Sequence, residues 1–164
     1  MNVEQICRIA DLNARYAEAI DSDRLEEWPD FFLDNGRYRI TTAENVAQGL
    51  PLSMIYATSR AMLRDRVRAL REANIYEGQC YRHVLGTPLL AGPGDRGGDV
   101  GAGAVLARTA FMVARVMRTG ETVLFATGRY EDRVILDGAD AARFAEKTVI
   151  IDSRQIDTLL ALPL

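Results

Sequence analysis

The sequence predicts an α+β fold in which helices cover one face of a curved, antiparallel-rich sheet. Two observations carry this. Before residue 73 apolar residues recur at spacings of three and four, and from residue 79 onward Val, Ile, Thr, Phe and Tyr fill long runs broken by turn dipeptides. Helices first and strands afterwards segregate the helices to one side of the sheet rather than alternating them with strands. At 164 residues and 18.2 kDa the chain is long enough for one core without disulfides or metals, so residues 1–164 are expected to form a single domain.

Ile6, Ile9, Ala10, Asn13, Tyr16, Ala17 and Ile20 make the stripe of a first helix over residues 3–20, and Asn2 with Gln5 gives a capping box before it. Asp23 with Glu26 repeats that signal ahead of Leu25, Trp28, Phe31 and Phe32, predicting a second helix that Pro29 shortens and Asn35-Gly36 ends. Arg37 to Thr42 alternates as a strand with one covered face, and residues 43–57 read as a loop. Ser59 caps a third helix whose stripe is Met62, Leu63, Arg66, Val67 and Leu70, with Arg64, Arg68 and Arg71 outside. Gln79 to Leu85, Ala104 to Arg118, Glu121 to Ile135 and Ala142 to Asp152 are expected as strands, with turns at Thr119-Gly120 and Asp137-Gly138.

Composition excludes several classes of function. Hydrophobic residues at 48% and charged residues at 26% are those of a folded chain, and 20 basic against 23 acidic residues leave −3, without the positive excess of a nucleic-acid binder. Cys7 and Cys80 form no Cys-x-x-Cys, and no basic-then-apolar leader or spanning apolar run is present. A reducing, cytoplasmic location off the membrane is therefore expected. The single histidine, His83, cannot supply a two-His iron site, a four-ligand zinc site or a Rieske cluster by itself.

The residues able to carry chemistry are few. Asp21 and Asp23 end the first helix and His83 lies on a later strand, so two carboxylates and an imidazole could meet between helices and sheet as an acid/base pocket. The plainer alternative is that both aspartates cap helices and His83 is a hydrogen-bonded core residue. Residues 92–103 are glycine-rich and match Gly-x-Gly-x-x-Gly, but a strand rather than a helix follows, which makes them a hairpin loop and not a phosphate cradle. Lys147 is the one lysine among arginines. Residues 153–164 end in an apolar tail with Leu159, Leu160, Leu162 and Leu164, too apolar to lie in water; it packs on its own subunit or, as the favoured expectation, across a subunit boundary.

Taken in order, Tyr16-Ala17-x-Ala19-Ile20-Asp21-x-Asp23, Trp28 to Phe32, Tyr38, Met62-Leu63-x-Asp65-Arg66, Tyr81-Arg82-His83 and the long terminal hairpins resemble the small (β) subunit of aromatic-ring-hydroxylating dioxygenases along nearly the whole chain. The longer runs at 19–23, 68–77, 119–122 and 157–164 are most similar to the terephthalate branch of that family. The resemblance implies a cone-shaped fold of the nuclear-transport-factor-2 (SnoaL-like) type with three N-terminal helices, in an α3β3 hexamer with a β trimer. It implies that the large α subunit holds the Rieske [2Fe-2S] cluster and mononuclear iron, with no catalytic, cofactor or metal site in this chain. A reductase would pass electrons from NAD(P)H to the complex, which adds O2 to an aromatic carboxylate to give a cis-dihydrodiol. Trp28, Tyr38, Tyr81, Arg82, His83, Leu159, Leu160, Leu162 and Leu164 then become structural or interface candidates. Gly86 stands where many relatives have Asn, and the glycine-rich loop is longer than usual. The alternatives are a stand-alone isomerase or dehydratase of the same fold using Asp21, Asp23 and His83, or a cofactor-free small-molecule binding module.

Overall fold

Helix α1 (Val3–Asp21) begins where the sequence places it, with the Asn2 side chain accepting from the Gln5 N–H at 3.3 Å, and buries Ile9, Leu12, Asn13, Tyr16 and Ile20. The computed structural model describes residues 2–73, 76–91, 103–138, 141–155 and 160–164. The glycine-rich segment is thus outside the described residues except for Gly103, as is Leu159. Among the described residues no helix is long and apolar enough to cross a membrane.

The expected second helix does not form. α1 stops through paired bonds from Asp23 N–H to Ile20 O and from Arg24 N–H to Ala19 O, with Asp23 in the left-handed region at φ 57. Turns follow, and only Trp28–Phe31 is helical, as a short 3-10 helix with Pro29 in its first turn. Proline fits a helix start but lacks the N–H that would continue an α-helix through it. Asp23 therefore caps no second helix. The residues read as a loop instead contain α2 (Ala43–Ala47), capped by Thr42, and a short strand β2 (Ile55–Ala57). Helix α3 (Arg60–Glu72) has the predicted Ser59 cap and buries Leu63, Val67 and Leu70. Met62 leaves the predicted stripe and is 44% exposed.

The sheet comprises β1 (Phe32–Thr42), β2, β3 (Gln79–Leu85), β4 (Leu89–Leu90), β5 (Ala104–Met117), β6 (Thr122–Asp137) and β7 (Ala141–Ile151). Its order is β2-β1-β7-β6-β5-β3, with β4 beside β5. The β5–β6–β7 meander is antiparallel, as the turn dipeptides predict, whereas β1 pairs in parallel with β7. That long-range pairing extends β1 back to Phe32, so Asn35-Gly36 lies inside the strand at an irregularity between Phe32 and Arg37 rather than ending a helix. The bend there requires glycine, because a Cβ at Gly36 would lie 2.8 Å from Leu33 O and 2.9 Å from the Phe32 Cβ. Gly128 on β6 serves the crossing to β7, where a Cβ would meet Ile150 O at 2.1 Å.

The core lies between the helices and one face of the sheet. Tyr16 is its centre, with edge contacts to Phe31, Phe32, Tyr130 and Phe144 at centroid distances of 5.6–6.4 Å, and Phe111 stacks on Tyr130 at 4.6 Å. Such ring pairs add about 0.5–1.5 kcal/mol each beyond their area. The inside of the cone is thus filled by its own aromatic side chains.

Candidate functional site

Asp21 is the last residue of α1, a position where the negative end of the helix dipole disfavours a carboxylate. Strand β3 supplies the compensation. Its alternation turns Tyr81 and His83 inward and Arg82 outward. The His83 backbone N–H donates to Asp21 Oδ2 at 2.8 Å and the ring Nδ1 donates to Oδ1 at 2.5 Å, while the Arg82 guanidinium is 4.0 Å away. The other ring nitrogen, Nε2, is buried and has no hydrogen-bond partner among the described residues. Tyr81, 6.1 Å from the His83 ring, and Phe125, 5.3 Å from Tyr81, wall the imidazole, and the Arg115 guanidinium lies 4.6 Å over Phe125.

Asp21 and His83 therefore meet as the sequence allowed, but Asp23 does not join them. It faces out, 2.8 Å from Arg71 of α3, and Arg71 also holds Glu26 at 2.8 Å. This ion-pair cluster straps α3 to the turn after α1 and is no part of a pocket. The His83 side chain is 0% exposed and that of Asp21 4%. Proton transfer needs a reacting group within hydrogen-bond reach of Nε2. The dyad is built as a tie between α1 and β3.

A second polar cluster escaped the sequence reading. Lys147 on β7 is fully buried, 3.1 Å from Asp132 Oδ2 on β6 and donating to Asn13 Oδ1 of α1 at 2.9 Å, while Asn13 donates to Thr109 at 3.3 Å. Three rings enclose the ammonium, Tyr130 at 3.6 Å, Phe144 at 4.4 Å and Tyr16 at 4.7 Å. Burial pulls Lys147 down to about 8 and pushes Asp132 up, each partly offset by the other's charge. Strand alternation held the signal: Asp132 shares a face with Tyr130 and Val134, and Lys147 with Val149 and Ile151, so both charges stand on faces otherwise apolar.

Of the remaining candidates, Trp28, Tyr38 and Tyr81 are core residues and Arg82 is not. Trp28 and Tyr38 are 0% exposed, Tyr81 2%, and Arg82 is exposed. The tail does not wait for a partner: Ala161, Leu162 and Leu164 belong to the chain's own core, with Leu160 packed against it. Leu164 O accepts from the Tyr16 hydroxyl at 2.7 Å and the Tyr38 hydroxyl at 3.0 Å, its N–H donates to Tyr38 at 3.0 Å, and Arg66 donates to Leu160 O at 3.2 Å. Burial pushes the Tyr38 hydroxyl up to about 12 and raises that of Tyr16 well above its ordinary value, so both remain protonated donors. Leu162 and Leu164 thus close the chain's own core, the alternative that the sequence left open beside a boundary-spanning tail.

Iron does not fit the described residues. They contain no group of three or more His, Cys, Asp and Glu placed to hold a metal, the His83 Nδ1 is engaged by Asp21, and Cys7 and Cys80 are exposed on different elements.

Helices over a curved open sheet are the architecture of a SnoaL-like domain, and the model of that family matches residues 1–146. Within it the chain belongs to the beta, or small, subunits of aromatic-ring-hydroxylating dioxygenases. It is 47% identical over 158 residues to subunit beta 1 of the terminal oxygenase component of terephthalate 1,2-dioxygenase from Comamonas sp., covering 96% of this chain and 97% of that one. It is 38% identical to the small subunit of anthranilate 1,2-dioxygenase from Burkholderia cepacia, covering 93% and 90%. A solved beta subunit ascribed to an aromatic-ring-hydroxylating dioxygenase of Novosphingobium aromaticivorans superposes with a TM-score of 0.83 at 37% identity, over 99% of this chain and 100% of that one.

Proposed function

We propose that this chain is the structural, non-catalytic beta subunit of an oxygenase component that cis-dihydroxylates an aromatic carboxylate of the terephthalate kind. One domain spanning residues 1–164 would hold the large subunits in an α3β3 hexamer in the cytoplasm. The large subunit would carry the Rieske [2Fe-2S] cluster and the mononuclear iron, and a reductase would deliver electrons from NAD(P)H. The observation that carries this reading is the burial of the one Asp–His dyad in the chain's own packing, His83 side chain 0% and Asp21 side chain 4% exposed, together with the similarity to dioxygenase beta subunits. A stand-alone acid/base enzyme would need Nε2 within reach of a substrate.

Two measurements test it. The chain, expressed with an affinity-tagged oxygenase large subunit, is expected to co-purify with it, while the chain alone retains no stoichiometric iron; iron tightly held by the chain alone would overturn the reading. In the assembled complex supplied with terephthalate, reductase and NADH, Asp21→Asn and His83→Gln are expected to lower stability or yield. Each variant loses a charge-assisted bond worth about 1.5–3 kcal/mol. Turnover per intact complex should stay within a few-fold of the parent. A loss of about 10²-fold or more per complex is the scale of a removed general base and would assign the dyad to catalysis.

A further inference from the structure

The stripe that α1 turns inward repeats every three or four residues: Ile9, Leu12, Tyr16, Ala17 and Ile20 are all buried. One turn along the helix from Asn13, in either direction, stands another buried apolar residue, Ile9 or Ala17. Apolar contact is non-directional, so by itself it distinguishes poorly between this seat and one displaced by a turn, about 5.4 Å. Asn13 breaks that equivalence. Its Oδ1 accepts from the Lys147 ammonium at 2.9 Å, and its Nδ2 donates to the Thr109 hydroxyl at 3.3 Å. Asp132 and Lys147 are direct cross-strand partners on β6 and β7 and Thr109 stands on β5, so the sheet places these three groups without help from the helix. All four residues are buried. In a displaced seat Ile9 or Ala17 would face the ammonium, which would lose its carbonyl acceptor in a buried site.

Stability does not account for the pair. Burial holds Lys147 down at about 8 and pushes Asp132 up, so the interior opposes both charges. In coiled coils a single buried Asn fixes the register of the helices while lowering their stability. We propose that the Asn13–Lys147 bond, anchored by Asp132 and Thr109, selects one seat for α1 on the sheet. Lys147, Asp132 and Thr109 are then positioning residues that act through Asn13. The seat matters at the far end of the helix. Some two turns beyond Asn13, Asp21 holds the His83 N–H and ring, and a displacement of one turn would part them. Tyr16 to Leu164 O and Asp21 to His83 are further contacts of this seat, and both residues stay intact in the variants below.

The test compares the full chain with a triple variant, Asn13→Leu with Asp132→Leu and Lys147→Met, and with the double variant Asp132→Leu with Lys147→Met, which keeps the Asn13–Thr109 bond. Urea unfolding reads stability, while amide hydrogen exchange and amide correlation spectra read the seat. Both variants are expected to keep the parent's urea midpoint or exceed it. At that undiminished stability the His83 amide of the triple variant should exchange about 10-fold faster or more, the scale of one lost charge-assisted bond. The amides of α1 should broaden or double while those of β5 and β6 keep the parent's protection, and the double variant should lie between. A single sharp set of α1 amides with parent-like His83 exchange in the triple variant would overturn the proposal, because apolar packing, Tyr16 and Asp21 would then suffice. A lowered midpoint in the double variant would overturn it too, by making the pair a source of stability. Where the triple variant alone fails to fold, the double variant decides: His83 exchange faster than the parent's supports the selected seat, and parent-like exchange overturns it.

Discussion

A chain truncated before residue 160 is expected to fail to fold at room temperature, and to fail as a monomer rather than as an assembly. The deletion removes Leu162 and Leu164, 4% and 0% exposed, each worth about 1.5–3 kcal/mol on burial. It also strips Leu164 O from the hydroxyls of Tyr16 and Tyr38, two buried donors whose lost partner costs about 1–3 kcal/mol each. Together this approaches the total stability of a typical domain, about 5–15 kcal/mol. Leu164→Ala is the graded version. It keeps the backbone bonds and leaves a cavity, so unfolding in urea should show about 2–5 kcal/mol lost. Circular dichroism and sedimentation of this variant together decide the matter, because a folded monomer of unchanged stability that no longer assembles would return the tail to a subunit boundary.

Replacing Asp132 by Asn should cost about 3–5 kcal/mol, since it leaves the Lys147 ammonium buried without its counter-ion. Replacing the pair together, Asp132→Leu with Lys147→Met, should be neutral or stabilising. Both shifts point that way: burial lowers Lys147 from 10.5 to about 8 and raises Asp132 above 3.8, so in each case the folded interior opposes the charge more than the partner favours it. The pH dependence follows. Between about 8 and 10.5 the unfolded chain holds a lysine proton that the folded chain has released, so the parent's Lys147 contribution becomes more favourable as pH rises through that window. On the acid side the folded chain retains the Asp132 proton above 3.8, where the unfolded chain has lost it, so that contribution falls as pH rises out of the acid range. Urea titrations at pH 7 and pH 9.5 for the parent and the double variant check this, as the double variant should lack the alkaline rise.

Much of the fold was legible in the chain. The stripe of α1, its Asn2 cap, the Ser59 cap of α3, β3 and the three long strands all stand within about two residues of where periodicity put them. Each is set by neighbours within one or two turns or across one hairpin, so local pattern suffices. The second helix that Asp23 and Glu26 predict does not form because its capping signal and its proline compete. Asp23, freed from capping, went instead to Arg71 of α3, a contact no local rule contains.

The sequence by itself determined the framework of helices and hairpins, the poverty of metal ligands and the family, because these depend on residue type, spacing and extended runs. Only the tertiary structure decided where the special residues went. It paired β1 in parallel with β7 across some hundred residues, met Asp21 with His83 and left out Asp23, buried Lys147 among rings, and turned Leu162 and Leu164 into the chain's own core. The physical reason is the same in each case. An apolar or charged side chain states what it must be removed from or paired with, but which surface covers it is fixed by the closure of the whole cone, a long-range condition that no window of the chain contains.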